Sequence, residues 1–433
     1  MVALLARGSL VSAEPVDATR TLSGLNSAQM FEIARRAEAG NGIEDAEAIY
    51  RALASDPSPD VRNEARFRHA QLLAKHNKRV QAAILYRAIL DERPDAQRVR
   101  LELAALLAQM GDFTGARRQL RQAQTRSLPP EVAQIVNQYS AALRSFRPIT
   151  ASFEISLAPS NNINRATRST ILDTVIAPFQ LSDEARAKSG TGIQLGGVIG
   201  MRLPISSRVA LTGSVSGQGD LYRESAFNDI IAAAEFGPEW LAGKLRIQPL
   251  AGRSWRWFGN HPYSITDSGS LKLSRPLGLR AQIEMGLGIG YSSYKLNDLQ
   301  DGATFNISLN YERAFSQRFG GGVSLGFDRQ GARDAGYATR SGSLQLLAWR
   351  EIRKISAFAV VNISRLGADQ RLALFPLRRK DSVYRVTAGA SFRQITIHGF
   401  SPIIRATYER SHSTVGLYDY ARIGGNVGLT HAF

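Results

Sequence analysis

The residue types that most often carry out chemistry are sparse in this chain, and their spacing matches no catalytic or metal-binding pattern. The 433 residues include no cysteine, which excludes disulfides, thiol nucleophiles and cysteine-ligated metals. Of the six histidines, His69 and His76 lie seven residues apart on one predicted helix without a carboxylate partner, which is typical of a solvated face. We therefore predict that the protein is not an enzyme and has no catalytic, cofactor-binding or metal-binding residues.

Two glycine-rich segments superficially suggest a loop that cradles phosphate. Gly286, Gly288 and Gly290 alternate with apolar residues, and three consecutive glycines occupy positions 320–322. On strands, such glycines keep one face clear of side chains or permit curvature, and we expect that role here. A separate feature is the pair of consecutive carboxylates Asp183 and Glu184. They fall in a predicted loop and need no catalytic explanation.

Charge is the other chemical feature of the chain, with a net charge of +17. Residues 1–147 contribute +5 and residues 148–433 contribute +12, mostly through arginine. A high isoelectric point is often a mark of nucleic-acid binding. Because these arginines lie in strand-like sequence, we expect them to line a lumen or face anionic lipid headgroups, and we predict no nucleic-acid partner.

The elements that carry these residues follow one pattern over residues 151–433. Strand-length segments alternate apolar and polar residues, as where Phe305, Ile307 and Leu309 are interleaved with Asn306 and Ser308. Alternate side chains on a strand point to opposite faces, so each segment has one apolar and one polar face. Sustained over nearly 300 residues, this predicts a transmembrane β-barrel in the outer membrane of a bacterium, in contact with lipid outside and water inside.

The pattern predicts fourteen antiparallel strands, an even number as such barrels require. The strands are expected near 151–157, 190–203, 207–218, 229–238, 243–258, 263–274, 279–294, 303–314, 319–329, 337–350, 354–365, 383–394, 400–411 and 419–433. Short connections alternate with long ones, and the long ones include 158–189, 259–262 and 366–382. Short turns are expected in the periplasm and long loops outside the cell. The final strand ends on Phe433, which resembles the signal that barrel-assembly machinery recognises.

Residues 26–147 form a different kind of sequence, rich in alanine, leucine, arginine and glutamine with helical periodicity. A repeat of 34 to 36 residues aligns small residues, then a tyrosine or leucine, then a proline: Ala34, Ala46, Tyr50, Pro57; Ala70, Ala82, Tyr86, Pro94; Ala104, Ala116, Leu120, Pro129. Small residues let antiparallel helices approach closely, and proline ends the second helix. This resembles the tetratricopeptide repeat and predicts an all-α periplasmic solenoid of three repeats and a final helix, which would bind an extended partner.

The first 25 residues are predicted to be a leader remnant and linker. Val11, Ser12 and Ala13 end a short apolar stretch before Glu14 and Pro15, like a signal-peptide cleavage site. The predicted organisation is therefore a leader and linker over 1–25, a repeat domain over 26–147 and a barrel over 151–433.

Alternation also predicts which charges line the barrel lumen. The inward set consists of Arg246, Arg385, Arg393, Arg405, Glu409 and Arg422. Charges on the lipid side would be costly at the membrane midplane. These residues could form a salt-bridge lattice that stiffens the wall, or they could guide a substrate, and the sequence leaves both interpretations open.

A polar segment follows the first strand and could fold back into the lumen. It reads Pro-Ser-Asn-Asn-Ile-Asn-Arg-Ala over residues 159–166. With the preceding repeats and a fourteen-stranded barrel, it resembles the surface lipoprotein assembly modulator (Slam) family, in which a similar asparagine-rich segment lies near the start of the barrel. The resemblance implies export of lipoproteins or haemophore-like proteins, with periplasmic chaperones and barrel-assembly machinery as further partners. Candidate cargo or lumen contacts are Asn161, Asn162, Asn164, Arg165, Arg385, Arg405 and Glu409.

Two other classes of outer-membrane protein stay open. A polysaccharide exporter also joins such repeats to a barrel, and the barrel charge of +12 would suit an anionic glycan. A plain porin is the third interpretation, although a passive pore has no need of a solenoid.

Overall fold

The fold has a helical N-terminal part and a closed antiparallel β-barrel, as the two periodicities predict. The computed structural model describes residues 25–110, 112–123, 149–278, 280–353, 355–392 and 400–430. The chain divides into two compact units, residues 1–69 and 70–433. Nearly all of the predicted leader and linker, and the predicted last helix, lie outside the described residues.

Six helices precede the barrel in the described part of the chain: α1 (Ser27–Ala39), α2 (Ile43–Leu53), α3 (Pro59–Lys75), α4 (Arg79–Glu92), α5 (Gln97–Met110) and α6 (Phe113–Ala123). The first begins with a capping box, in which the Asn26 side chain accepts from the Gln29 N–H and the Gln29 side chain accepts from the Asn26 N–H. None of these helices combines the length and apolarity needed to cross a bilayer.

The alanine, tyrosine and leucine positions that the repeat aligns are all buried. Exposure is 0–3% at Ala34, Ala46, Tyr50, Ala70, Ala82, Tyr86, Ala104, Ala116 and Leu120. The Tyr50 hydroxyl donates to Glu38 Oε1 at 2.6 Å, and burial together with this bond raises the pKa of Tyr50. Small buried residues at this spacing support the repeat interpretation, and its identity as a tetratricopeptide repeat stays a prediction.

The barrel closes with fourteen strands, as predicted, each paired antiparallel with its neighbours in sequence and the first paired with the last. The strands are β1 (Ile149–Ser160), β2 (Gly190–Pro204), β3 (Val209–Tyr222), β4 (Asp229–Ala242), β5 (Leu245–Phe258), β6 (His261–Leu277), β7 (Ala281–Tyr294), β8 (Gly302–Ala314), β9 (Phe319–Gln330), β10 (Thr339–Ile352), β11 (Ile355–Ala368), β12 (Lys380–Phe392), β13 (Ser401–Ser413) and β14 (Tyr420–Thr430).

The two faces of the barrel wall are distinguished by side chains that meet across an intervening strand. Lys272 on β6 lies 2.6 Å from Glu235 on β4, which is possible only on the concave face. The opposite face carries large apolar side chains with no protein covering them, including Phe236, Ile289 and Val427 at 65%, 65% and 60% exposure. A water-filled lumen and a lipid-facing exterior explain this distribution.

Connections alternate in length around the barrel, as predicted. One connection that was predicted to be long is short. The long-loop end carries connections such as 161–189, 331–338 and 369–379, and the short-turn end carries turns such as 315–318. The connection predicted as a longer loop at 259–262 is a two-residue turn. Gly259 (φ +56°) and Asn260 (φ +64°) both adopt left-handed backbone, as a tight hairpin of this kind requires.

Within the second unit, helices α4–α6 contact the short-turn end of the barrel. Arg318, in the turn between β8 and β9, donates to the carbonyl oxygen of Asp91 at 2.6 Å. The Arg118 guanidinium lies 5.2 Å from the centre of the Trp349 ring on β10. At the core of this contact Arg100, 1% exposed, donates to the side chain of Gln122 at 2.6 Å.

Candidate functional site at the junction of the first and last strands

The ladder between β1 and β14, which we call the seam, is interrupted. Among the described residues β1 pairs with β14 through Glu154 with Thr430, Ile155 with Leu429, Ser156 with Gly428, Leu157 with Val427 and Ser160 with Gly424. On its other side β1 pairs with β2 continuously from Ile149 to Ser160. The interruption contains Pro159, which has no N–H to donate to a ladder.

Two consecutive asparagines hold the seam together at the long-loop end. Asn161 donates its N–H to the Ile423 carbonyl at 3.1 Å and accepts the Ile423 N–H on its side-chain oxygen at 2.8 Å. Asn162, completely buried, donates to the carbonyl oxygens of Ala421 (3.1 Å) and Ala166 (2.8 Å) and accepts from the Ala166 N–H (3.0 Å). We call Asn161 and Asn162 the asparagine clasp, because their side-chain amides bind the main chain of β14 just beyond the end of β1.

Two further residues of this segment, Asn164 and Arg165, fix the shape of the loop and its contact with the barrel wall. Asn164 accepts from the Lys188 N–H at 3.0 Å and donates to the Arg186 carbonyl at 2.8 Å, so it ties both arms of loop 161–189 together. Arg165 adopts left-handed backbone (φ +49°), and its Nε lies 3.5 Å from Oε1 of Glu409 on the luminal wall. The asparagine side chains of this segment therefore bind main-chain groups, and the arginine faces the lumen.

Glu409 is the most enclosed charge on this part of the wall, at 1% exposure. Arg385 donates to its Oε2 at 3.0 Å and the Tyr420 hydroxyl donates to its Oε1 at 2.6 Å. A carboxylate removed from water needs such partners, because its desolvation would otherwise outweigh every local contact. Three strands and the first loop thus converge on one carboxylate.

A second ion pair crosses the seam on the luminal side. Arg405 on β13 binds Glu154 on β1 through two hydrogen bonds, one of them 2.7 Å long between Nη2 and Oε2. This pair passes over β14. Arg422 on β14 donates to the hydroxyl of Ser160 on β1 at 3.0 Å. The seam is therefore closed by side chains as well as by main-chain pairing.

Arg385, Arg405, Glu409 and Arg422, which alternation predicts to face the lumen, are brought together in this network. Arg246 lies apart from them, 3.5 Å from Glu239. Arg393 lies outside the described residues. Since each of these described arginines is held by a carboxylate or hydroxyl, the geometry favours a lattice that stiffens the wall, and a role in guiding cargo stays a prediction.

Sequence reasoning missed several neutral members of the network. Asn426 on β14 donates to Ser156 at 3.3 Å and to Gln194 at 2.7 Å, and so bridges three strands. Tyr420 was also missed, although its position six residues before Asn426 in the alternating pattern places it on the same face.

A cavity of about 640 Å³ opens on this wall of the lumen. Its lining includes Arg165, Arg385, Gln194, Gln218 and Asp220. The lining mixes both signs of charge with amides, which suits a polar or zwitterionic chain. In the part of the chain that is described, no cluster of histidine and acidic residues could hold a metal ion.

Above the lumen, three loops share an apolar cluster. Its buried members are Leu172 and Leu181 of loop 161–189, Phe375 of loop 369–379 and Val415 of loop 414–419. These loops join β1 to β2, β11 to β12 and β13 to β14. The cluster therefore packs three separate connections together at the long-loop end.

Comparison with known proteins gives one family and two relatives. A family model described as surface lipoprotein assembly modifier matches residues 150–432. Surface lipoprotein assembly modifier 1 of Haemophilus influenzae is 22% identical over 348 residues, covering 77% of this chain and 70% of that protein. The protein of the same name from Neisseria meningitidis serogroup B is 27% identical over 206 residues, covering 47% of this chain and 41% of that protein.

Solved structures resemble the chain only weakly. OmpT of Vibrio cholerae covers 66% of this chain and 98% of its own at 10% identity, with a TM-score of 0.37. The toluene transporter TodX of P. putida covers 72% of this chain and 94% of its own at 11% identity, with a TM-score of 0.38. At these scores the similarities carry no argument about function.

Proposed function

Because the chain belongs to the surface lipoprotein assembly modifier family, we propose that it is an outer-membrane translocator that exports surface lipoproteins or haemophore-like proteins. The role is one of transport rather than catalysis. The observation that carries the proposal is the contact between helices α4–α6 and the short-turn end of the barrel, made through Arg318 and Arg118. Short turns face the periplasm in such barrels, so the helices lie where cargo would enter.

In this proposal the helical repeats capture the cargo in the periplasm. Helix pairs built on small buried residues present an extended surface and have no chemistry of their own. They would receive an unfolded protein, directly or from a chaperone. The Arg318 and Arg118 contacts would then keep the bound segment close to the barrel entrance.

The first loop would act at the other end of the passage. Arg165 would be the direct contact, since its side chain meets Glu409 and lines the luminal cavity. Asn161, Asn162 and Asn164 would act through loop shape, because their amides bind main-chain groups. Arg385, Arg405 and Glu409 are proposed to line the route while stiffening it.

Removal of residues 26–147 tests the delivery step. We expect an intact barrel, because each strand finds its partners within 149–430, and loss of surface display of the cognate lipoprotein. Display is measured by protease accessibility of the lipoprotein on intact cells, and heat-modifiability of the barrel on gels serves as the insertion control.

Undiminished display by the truncated protein would contradict the delivery model. Loss of a surface polysaccharide in place of the lipoprotein would favour the alternative of a polysaccharide exporter. Arg385 and Arg405 each bind a carboxylate, which neutralises their charge on this part of the wall and weakens that alternative there.

A further inference from the structure

Within its described span the seam lacks pairing at Ala158 and Pro159, between the pairs Leu157 with Val427 and Ser160 with Gly424. On the other side of β1, pairing with β2 runs without a break through the same residues. Asn161 donates its N–H toward β14, so by alternation Pro159 also faces β14, where its missing N–H removes a bond. The missing hydrogen bond therefore lies between β1 and β14 within the barrel wall, and it follows from the proline in the sequence of β1.

The β14 side of the seam is poor in side chains. Gly424, Gly425 and Gly428 fall within its eleven residues. At Gly428 an added Cβ would clash with the carbonyl oxygen of Ile155, so only glycine allows the two backbones to approach this closely. Glycine contributes no side chain to hold the strands together once the backbones separate.

Side chains do much of the closing instead. The asparagine clasp binds Ile423 and Ala421 at the long-loop end, and Arg405 binds Glu154 on the luminal side. Such contacts can break and form again without unfolding a strand. Both asparagines belong to residues 159–166, the segment on which the family resemblance most depends.

An exported lipoprotein carries a lipid anchor, and a polar lumen is a poor environment for acyl chains. The lipid-facing surface beside the seam is apolar, with Leu157, Ile423 and Val427 at 56%, 60% and 60% exposure. Passage from the lumen to this surface requires one ladder of the closed barrel to open.

We infer that the seam opens laterally and releases the lipid anchor of the cargo into the outer membrane. The hydrogen bonds of the asparagine clasp keep the seam closed until then. This inference rests on the proposed function and adds a site to it. The partner at the site is defined by chemistry: an acylated chain terminus that enters between Leu157 and Val427.

A disulfide across the seam tests the inference, because the chain contains no cysteine of its own. Leu157 and Val427 are directly paired, and opposite residues of antiparallel strands have Cα atoms about 4.5–5.5 Å apart, within disulfide range. The oxidised double variant Leu157→Cys, Val427→Cys should reduce surface display of the lipoprotein at least tenfold, and a reductant should restore it.

The matched control keeps Val427→Cys and moves its partner to the other neighbouring strand. Ile404 pairs with Val427 across β13 and β14, so Ile404→Cys, Val427→Cys locks an uninterrupted ladder and should leave display unchanged. If the first lock fails to insert, Ile155→Cys with Leu429→Cys locks the seam at a second pair.

Full display from an oxidised seam lock would overturn the inference and leave the proposed function standing. Equal loss from the seam lock and the control lock would also overturn it, since the seam would then be no different from other ladders. Absence of lipoprotein display in wild-type cells would instead contradict the proposed function.

Discussion

At the residue scale, the Asn162 side chain makes more hydrogen bonds than any other side chain of the asparagine-rich segment, residues 159–166. Its buried amide satisfies main-chain groups of Ala166 and Ala421, which belong to the first loop and the last strand. A buried main-chain group that loses its partner costs about 1–3 kcal/mol. A single side chain thus joins the loop to the seam.

Asn162→Ala should loosen loop 161–189 without preventing barrel insertion. We expect faster tryptic cleavage within the loop, at Arg165, Arg168 or Arg186, when intact cells are treated with protease. Asn297→Ala is the control, because the Asn297 side chain accepts a local bond from the Leu299 N–H, at 3.2 Å, in another loop. Equal cleavage rates in both variants and in the wild type would contradict the role assigned to Asn162.

Alternation predicted the inward direction of Arg385, Arg405 and Glu409, but it could not predict their partners. Direction depends only on the period of a strand, which the sequence contains. The contact of Arg405 with Glu154 depends on the stagger between β13 and β1 across β14, which is set by closure of the whole barrel.

At the element scale, the strands were predictable because lipid contact imposes alternation on every one of them. All fourteen predicted strands are present in the barrel. The turn at Gly259 and Asn260 was wrongly expected to be a longer loop, although a glycine–asparagine pair between strands is a known signal for a tight hairpin. The apolar cluster of the loops was not foreseen, since its members are scattered over separate segments.

The attachment of helices α4–α6 to the barrel gives a prediction at this scale. Combined Arg318→Ala and Arg118→Ala removes the bond to the Asp91 carbonyl and the contact with the Trp349 ring. We expect lipoprotein display to fall several-fold while heat-modifiable barrel stays at the wild-type level.

Arg208→Ala is the matched control for that variant. Arg208 lies in another short turn with an exposed side chain, and its carbonyl oxygen, which the substitution keeps, accepts from the Leu241 N–H. Wild-type display by the Arg318 and Arg118 double variant would show that these contacts do not contribute to delivery.

At the scale of the whole molecule, the two periodicities of the sequence identified both architectures. The residues that join them were not identifiable, because Arg318 and Arg118 look like ordinary surface arginines until the turn and the helix are brought together. The end of the chain carries one further expectation at this scale. Phe433, beyond the described residues, was predicted to be read by barrel-assembly machinery.

Phe433→Asp should therefore reduce the amount of barrel inserted in the outer membrane, because a charged final residue removes the terminal aromatic signal. The measurement is the heat-modifiable fraction in outer-membrane preparations. Phe433→Tyr, which keeps an aromatic ring, should insert normally. Wild-type insertion of the aspartate variant would contradict the signal.

The apolar cluster of the three loops has an evolutionary consequence. Leu172, Phe375 and Val415 come from different loops but fill one interior, so a recombination event that imports a single loop brings mismatched surfaces together. Such a chimaera loses packing that costs about 3–5 kcal/mol when a buried phenylalanine is truncated. We therefore expect the three loops to be inherited as a set, with variation concentrated at exposed positions such as Ile176, which is 85% exposed.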